Sequence, residues 1–70
     1  MVTSKLRSSM LDSATYYENI GVLDLQFIKG KRYRYFRVPF EIYLGISSAA
    51  SPGIFYNLRI KGKFVSEPVW

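Results

Sequence analysis

Apolar and polar residues alternate along three stretches in the first half of the chain. The alternation is modest over residues 13–17 and clear over 22–28, where Asp24 and Gln26 interrupt an apolar run. It returns over residues 32–36, after a short segment with Gly30 at its centre. A period of two residues is typical of a strand with one buried and one solvated face. The pattern therefore predicts a three-stranded antiparallel meander with a tight turn at Gly30.

The third predicted strand, RYRYF, has two chemically different sides. Tyr33 and Tyr35 share one side, whereas Arg32, Arg34 and Phe36 share the other. A small core needs large rings, and arginine is almost never buried without a partner. We therefore expect the tyrosines to face the core and the arginines to lie on the open face of the sheet.

The pattern changes to helical spacing after Pro39, which ends the third strand and suits a first helical turn. Apolar residues recur at this spacing over residues 40–50, led by Ile42 and Ile46. Gly45 lowers the helix propensity by about 1 kcal/mol relative to Ala, but the small residues Gly45, Ser47 and Ser48 permit close approach of a neighbouring backbone. The sequence predicts a helix that depends on the sheet for its stability.

A second, shorter helix is predicted after Ser51, which can cap it, with Pro52 at its first position. Its predicted apolar side consists of Ile54, Phe55 and Leu58. The predicted fold is therefore α+β: a three-stranded antiparallel β-meander packed by one helix, with a short C-terminal helix and a closing extended segment.

Seventy residues are enough for one small domain, and 49% of them are hydrophobic. The chain contains no Cys and no His, which excludes disulfides, thiolate zinc sites and the usual general base near neutral pH. The segments GKR and GKF lack the spacing of a phosphate-binding loop. We expect a non-enzymatic domain with no metal and no cofactor.

The charge distribution favours a polyanionic partner. The net charge is +5, and five of the ten basic residues lie within residues 29–37, which contain no acid. Rings beside cations are typical of surfaces that bind single-stranded nucleic acid. The predicted nucleic-acid-binding residues are Lys29, Lys31, Arg32, Arg34, Phe36, Arg37, Arg59, Lys61 and Lys63.

A structural interpretation of the same charges stays open. Arg32 or Arg34 can pair across the sheet with Asp24, in which case the lysines mainly keep the domain soluble. Arg34→Glu is expected to abolish polyanion binding and to leave the melting temperature nearly unchanged.

No signal-peptide core or membrane-spanning run is present in the sequence, so we expect a cytoplasmic protein without membrane contact.

Three motifs in order, LDLQFIKG, YRYFRVP and ASPGIFYNLRI, resemble the KTSC domain over roughly residues 8–64. The resemblance implies a single domain with this core and loose termini. KTSC domains occur at the C-terminus of some bacterial lysyl-tRNA synthetases and as small bacterial and phage proteins. The resemblance implies no catalytic activity and suggests RNA, tRNA or a nucleoprotein machine as the partner. One departure is Tyr16-Tyr17-Glu18, where members commonly have Gly-Tyr-Asp.

The alternative function is a protein-interaction module, for example a small phage-type regulator or inhibitor that docks on a host polymerase or nuclease. An exposed third strand would also permit self-association. The candidate anchors for a protein partner are large rings, which are enriched at binding hot spots. They are Tyr17, Phe36, Phe40, Tyr43 and Trp70.

Overall fold

The computed structural model describes residues 1–69, which form a five-stranded antiparallel sheet with two helices against one of its faces. The strands follow one another across the sheet in chain order. They are β1 (Val2–Lys5), β2 (Leu11–Tyr17), β3 (Val22–Phe27), β4 (Arg32–Tyr35) and β5 (Ser66–Val69). The helices α1 (Phe40–Ser48) and α2 (Pro52–Arg59) lie between β4 and β5 in the chain.

The core lies between the sheet and the helices, on the side that the alternation predicts. Leu23 and Leu25 of β3 are fully buried, as is Ala14 of β2. On β4, Tyr35 is buried and Tyr33 packs against the core, whereas Arg32 is exposed. The α+β class and the orientation of β4 are thus confirmed.

The predicted number of strands is wrong, because residues 1–69 contain two further strands at the edges of the sheet. β1 pairs with β2, and β5 pairs with β4. β1 consists of mostly exposed residues and has no apolar alternation. β5 contains Pro68, and a proline in a sequence argues against a strand because it lacks an amide donor. It is tolerated here because β5 lies at the edge of the sheet. The third predicted strand, β4, is therefore paired on both sides and offers no free edge.

Helix α1 packs on the sheet through the residues that its spacing predicts, with Ile42, Tyr43 and Ile46 buried. Gly45 is in close contact with α2, since a methyl group at this position would overlap the ring of Phe55. The close approach at Gly45 is therefore made by a side-chain ring and not by the neighbouring backbone that the sequence predicts. Neither helix within residues 1–69 is long and apolar enough to cross a membrane.

Helix α2 begins as the sequence predicts, but only part of its predicted apolar side faces the core. The Ser51 hydroxyl accepts a hydrogen bond from the Ile54 amide at 3.3 Å, and Pro52 opens the first turn. Phe55 packs against the core as predicted, whereas Ile54 and Leu58 are 61% and 66% exposed, so the prediction is wrong for these two. The inward side also carries Pro52 and Tyr56, and it is followed by the buried C-cap residue Ile60.

Candidate nucleic-acid interface

The face of the sheet that points away from the helices, called the open face below, has a neutralised ion pair at its centre. Arg34 Nε donates to Asp24 Oδ1 at 2.8 Å, and Nη2 donates to Oδ2 at 2.9 Å. Asp24 is only 2% exposed, and the ring of Tyr17 lies 5.8 Å from the Arg34 guanidinium. The hydrogen bonds and the charge of Asp24 raise the pKa of Arg34 above its ordinary value. The sequence allows either Arg32 or Arg34 to pair with Asp24, and in the structure the partner is Arg34.

The other cations of the open face also have partners. Lys5 Nζ lies 2.7 Å from Asp12 Oδ1, and Arg32 Nε donates to Gln26 Oε1 at 3.1 Å. Glu67 of β5 is the register partner of Arg34 on the side opposite Asp24. Within residues 1–69, two cations of this face are paired with carboxylates and a third carboxylate lies beside them, which weakens the long-range attraction of a polyanion there.

An aromatic groove lies on the other side of the sheet, at the end of β3 and β4 and beside α2. Its first part has a volume of about 430 Å³ and its second part about 350 Å³. The two parts are neighbours, and Met10, Phe27 and Tyr33 line both. The first part is completed by Ser9, Lys29 and Lys31, and the second by Tyr35, Tyr56, Asn57, Lys61, Gly62 and Ser66.

Four rings of the groove form one chain of edge-to-face contacts. The ring of Phe27 lies 5.9 Å from that of Tyr33 and 5.4 Å from that of Tyr56. Tyr56 in turn contacts Tyr35 at 6.3 Å, and their hydroxyl groups are 3.0 Å apart. Burial, together with the Tyr56 hydrogen bond, raises the pKa of the Tyr35 phenol above its ordinary value. The aromatic wall is therefore a fixed surface whose rings hold each other in place.

Lysines stand at both ends of the groove. Lys29 and Lys31 flank Gly30, which has a φ of 99° in the β3–β4 turn. The turn is closed by hydrogen bonds from the Phe27 amide to the Lys31 carbonyl at 2.8 Å and from the Gly30 amide to the Phe27 carbonyl at 3.0 Å. Lys61 lines the other end, and no acid belongs to the lining within residues 1–69. The groove thus combines rings with uncompensated positive charge.

The remaining predicted residues lie on two other surfaces. Phe36, Arg37 and Lys63 line a separate pocket of about 450 Å³ together with Phe64 and Val65, called the Arg37 pocket below. Arg59 lies on the outer side of α2, with its guanidinium 5.7 Å from the ring of Phe55. The predicted residues therefore do not form one continuous basic face.

Alternation along the sequence predicts a core position for three of the groove rings, Phe27, Tyr33 and Tyr35, and it says nothing of Tyr56. Phe27 and Tyr33 are half-buried, which leaves part of each ring at the groove surface. The signal in the sequence is their spacing, since Phe27 lies two residues before Lys29 and Tyr33 lies two residues after Lys31.

The candidate anchors for a protein partner differ in accessibility. Tyr43 is buried in the core and is not available to a partner. Phe40 is 42% exposed, and its ring packs on Tyr16 and Tyr43 at centroid distances of 5.4 and 5.8 Å. Trp70 lies outside the described residues.

The acidic side chains are dispersed over the fold. Glu18 pairs with the N-terminal ammonium group at 3.0 Å, in addition to the Asp12 and Asp24 pairs described above. This contact lowers the pKa of Glu18 from its ordinary value. Within residues 1–69, no group of three or more acidic side chains is placed to hold a metal ion.

Comparison with known proteins identifies relatives over most of the chain. The model of the KTSC domain family matches residues 7–64. The crystal structure of a KTSC domain protein from Yersinia pestis is 31% identical, with a TM-score of 0.90 over 99% of this chain and 97% of that one. A lysine–tRNA ligase from Nostoc punctiforme is 33% identical over 63 residues, which cover 90% of this chain and 11% of the ligase.

Proposed function

The chain belongs to the KTSC domain family, and we propose that it is a small non-enzymatic domain that binds single-stranded segments of RNA. The observation that carries this proposal is the aromatic groove, in which a wall of rings runs between Lys29 and Lys31 at one end and Lys61 at the other. The bases would contact the rings, and the lysines would contact the phosphates.

The chemistry of the groove suits an unpaired strand better than a duplex. Stacking of a base on an aromatic side chain contributes about 1–3 kcal/mol and tolerates any base. A single strand can present its bases to a cleft of this size, whereas a duplex presents mainly phosphates and groove edges. The open face of the sheet supports the proposal less well, because Lys5 and Arg34 are engaged by Asp12 and Asp24 there.

A binding role without catalysis is supported by the chemistry of the side chains. The chain lacks His and Cys, and Asp12 and Asp24 are engaged in ion pairs. The groove contains lysines, tyrosines and amides, which can bind an anion but lack a carboxylate as a general base.

The kinship with a lysine–tRNA ligase makes tRNA the first RNA to test. This chain corresponds to only 11% of the length of that ligase, so the activity of the ligase itself does not transfer to it. In the proposed role the domain holds an unpaired part of an RNA while another protein acts on it. Action within the cytoplasm is part of this proposal.

The proposal is tested by titrating labelled tRNA and a single-stranded RNA of random sequence into the protein at several salt concentrations. We expect the logarithm of the association constant to fall linearly with the logarithm of salt, by about 0.7 per ion released from a single strand. Absence of binding at low salt, or an affinity that does not change with salt, would overturn the proposal.

Matched charge variants locate the interface. Lys31→Gln and Arg59→Gln each remove one exposed cation, but only Lys31 lines the groove. We expect Lys31→Gln to reduce the salt slope by about 0.7 and Arg59→Gln to leave it unchanged. Equal effects of the two variants would show that net charge, and not the groove, drives binding.

A second candidate function, docking on a larger host protein, is supported by apolar side chains on the outside of the helices. Leu44, Ile54 and Leu58 are 49%, 61% and 66% exposed. Exposed apolar groups of this kind can mark a protein contact. If one bacterial protein is retained by the wild type after nuclease treatment and is lost with Leu58→Asp, docking replaces RNA binding as the preferred function.

A further inference from the structure

The Arg37 pocket is a second site with the same chemistry as the groove. Its lining combines the cations Arg37 and Lys63 with the rings of Phe36 and Phe64, and within residues 1–69 it includes no acid. It lies beyond the end of β4 that is opposite the Lys29–Lys31 turn. Lys61 lines the groove and Lys63 lines the pocket, so one short loop joins the two sites.

Arg37 adopts a backbone conformation that arginine rarely takes. Its φ is 55°, in the left-handed region, and its side chain is exposed. The conformation is fixed by hydrogen bonds on both sides, from the Phe36 amide to Val65 O and from the Val38 amide to Gly21 O, each at 2.9 Å. Glycine is the favoured residue at such a position. Residues held in this region at a cost in stability cluster at ligand-binding sites, which makes the Arg37 side chain a candidate ligand-binding group.

We propose that the Arg37 pocket binds a second nucleotide of the same RNA strand that occupies the aromatic groove. The phosphate would lie between Arg37 and Lys63, and the base would contact Phe36 and Phe64. This inference rests on the proposed function and specifies its substrate as a single strand long enough to reach both sites. Two cations beside two rings match a nucleotide, since they offer a partner for both its charge and its base.

The inference predicts a step in affinity as the RNA is lengthened. A dinucleotide can occupy only one site, whereas a longer strand gains the second site as an intramolecular event. The domain extends 28 Å along its longest axis, so a strand that spans both sites remains short. Affinity is therefore expected to rise steeply at one length and to level off beyond it.

The test uses oligouridylates from the dinucleotide to the dodecanucleotide, with wild type, Arg37→Gly, Lys63→Gln and the control Arg59→Gln. We expect Arg37→Gly and Lys63→Gln to lower the dinucleotide affinity only slightly, because the groove still binds the dinucleotide, and to lose about tenfold in affinity for the longer strands. Arg37→Gly should melt at the same temperature as the wild type or higher, so its loss of affinity cannot come from unfolding.

Different outcomes overturn the inference and the proposed function. Wild-type binding without a length step, or unchanged binding of long strands by both pocket variants, overturns the second site and leaves RNA binding intact. An equal loss at all lengths also overturns it, because the pocket would then belong to the first site. Absence of binding of any oligouridylate or tRNA by the wild type overturns both.

Discussion

Arg34 and Asp24 form a two-pronged ion pair across β3 and β4, with nitrogen–oxygen distances of 2.8 and 2.9 Å. The carboxylate is 2% exposed, whereas the arginine side chain is 35% exposed. A carboxylate at this depth requires a partner, because the loss of hydration is costly for an unpaired charge. Arg34 thus has a structural role that limits its use as a ligand-binding group.

Replacement of Arg34 by methionine is expected to lower the free energy of unfolding by about 2–3 kcal/mol. The variant keeps an unbranched chain over the sheet but leaves the charge of Asp24 buried without a partner. The partial exposure of Arg34 places the effect at or below the low end of the range for broken buried pairs. Urea unfolding at neutral pH measures it as a shift in midpoint.

The double variant Asp24→Leu/Arg34→Met serves as the control, since replacement of both partners by apolar residues can be close to neutral. We expect it to recover most of the lost stability. An Arg34→Met variant with the wild-type midpoint would contradict the structural role of the pair. Because of this pair, the sequence-based expectation that Arg34→Glu leaves the melting temperature nearly unchanged no longer holds. The variant would place a glutamate beside Asp24, and the repulsion between the two carboxylates should lower the melting temperature.

The sequence predicts the central strands and the helix starts because those features follow from local chemistry. Alternation fixes the side of Tyr35 in β4, since a one-residue shift would bury Arg34 among apolar groups. Ser51 and Pro52 mark the start of α2 because the cap and the first-turn proline act within one turn. Such signals need no knowledge of the rest of the chain.

The edge strands and the inward side of α2 depend on tertiary contacts. β1 and β5 carry no apolar pattern and become strands by pairing with β2 and β4. On α2, both Phe55 with Leu58 and Tyr56 with Ile60 have helical spacing. In the fold Phe55 packs at Gly45 of α1 and Tyr56 packs on Tyr35 of β4, whereas Leu58 is exposed and Ile60 is buried.

The basic residues were identified from composition, but their grouping required the fold. Residues 29–37 are contiguous in sequence, yet alternation sends Arg32 and Arg34 to the open face. The turn holds Lys29 and Lys31 at the groove instead. Segments as distant as Ser9 and Lys61 complete the groove, and no periodicity in the sequence connects them.

Gly45 and Gly53 provide a matched pair of helix glycines. We expect Gly45→Ala to lower the free energy of unfolding by about 1–2 kcal/mol, because the added methyl group overlaps the Phe55 ring and this overpacking exceeds the gain in helix propensity. Gly53→Ala should be neutral or slightly stabilising, since its methyl group would only approach Met10 Cε at 3.4 Å. Thermal unfolding of both variants tests the difference.

A second variant tests whether the overlap with the Phe55 ring causes the loss of stability in Gly45→Ala. Phe55→Leu in the Gly45→Ala background removes the ring and is expected to restore part of the lost stability. If Gly45→Ala melts at the same temperature as Gly53→Ala, the close packing of α1 on α2 at this point is not a determinant of stability.

The Ser51 cap is expected to contribute about 1 kcal/mol to the free energy of unfolding. Its hydroxyl accepts the hydrogen bond of the Ile54 amide at 3.3 Å, and Ser51→Ala leaves this amide without a protein acceptor. Ser51→Asp should retain the cap and the stability, because aspartate accepts the same bond and favours a helix N-terminus. Equal losses for the two variants would show that the hydroxyl is not acting as a cap.

Tyr35 is expected to make the domain less stable at alkaline pH. Burial and the hydrogen bond to Tyr56 raise its pKa in the folded protein above the value of about 10 for an unfolded chain. Below a pH of about 10 the phenol is protonated in both states, and its contribution to stability is complete. At higher pH the unfolded chain releases the proton while the folded protein retains it, so the free energy of unfolding falls by about 1.4 kcal/mol per pH unit. Denaturant unfolding through this pH range should show the decline in the wild type and a smaller one in Tyr35→Phe, which has no proton to release; the same decline in both would assign it to another group.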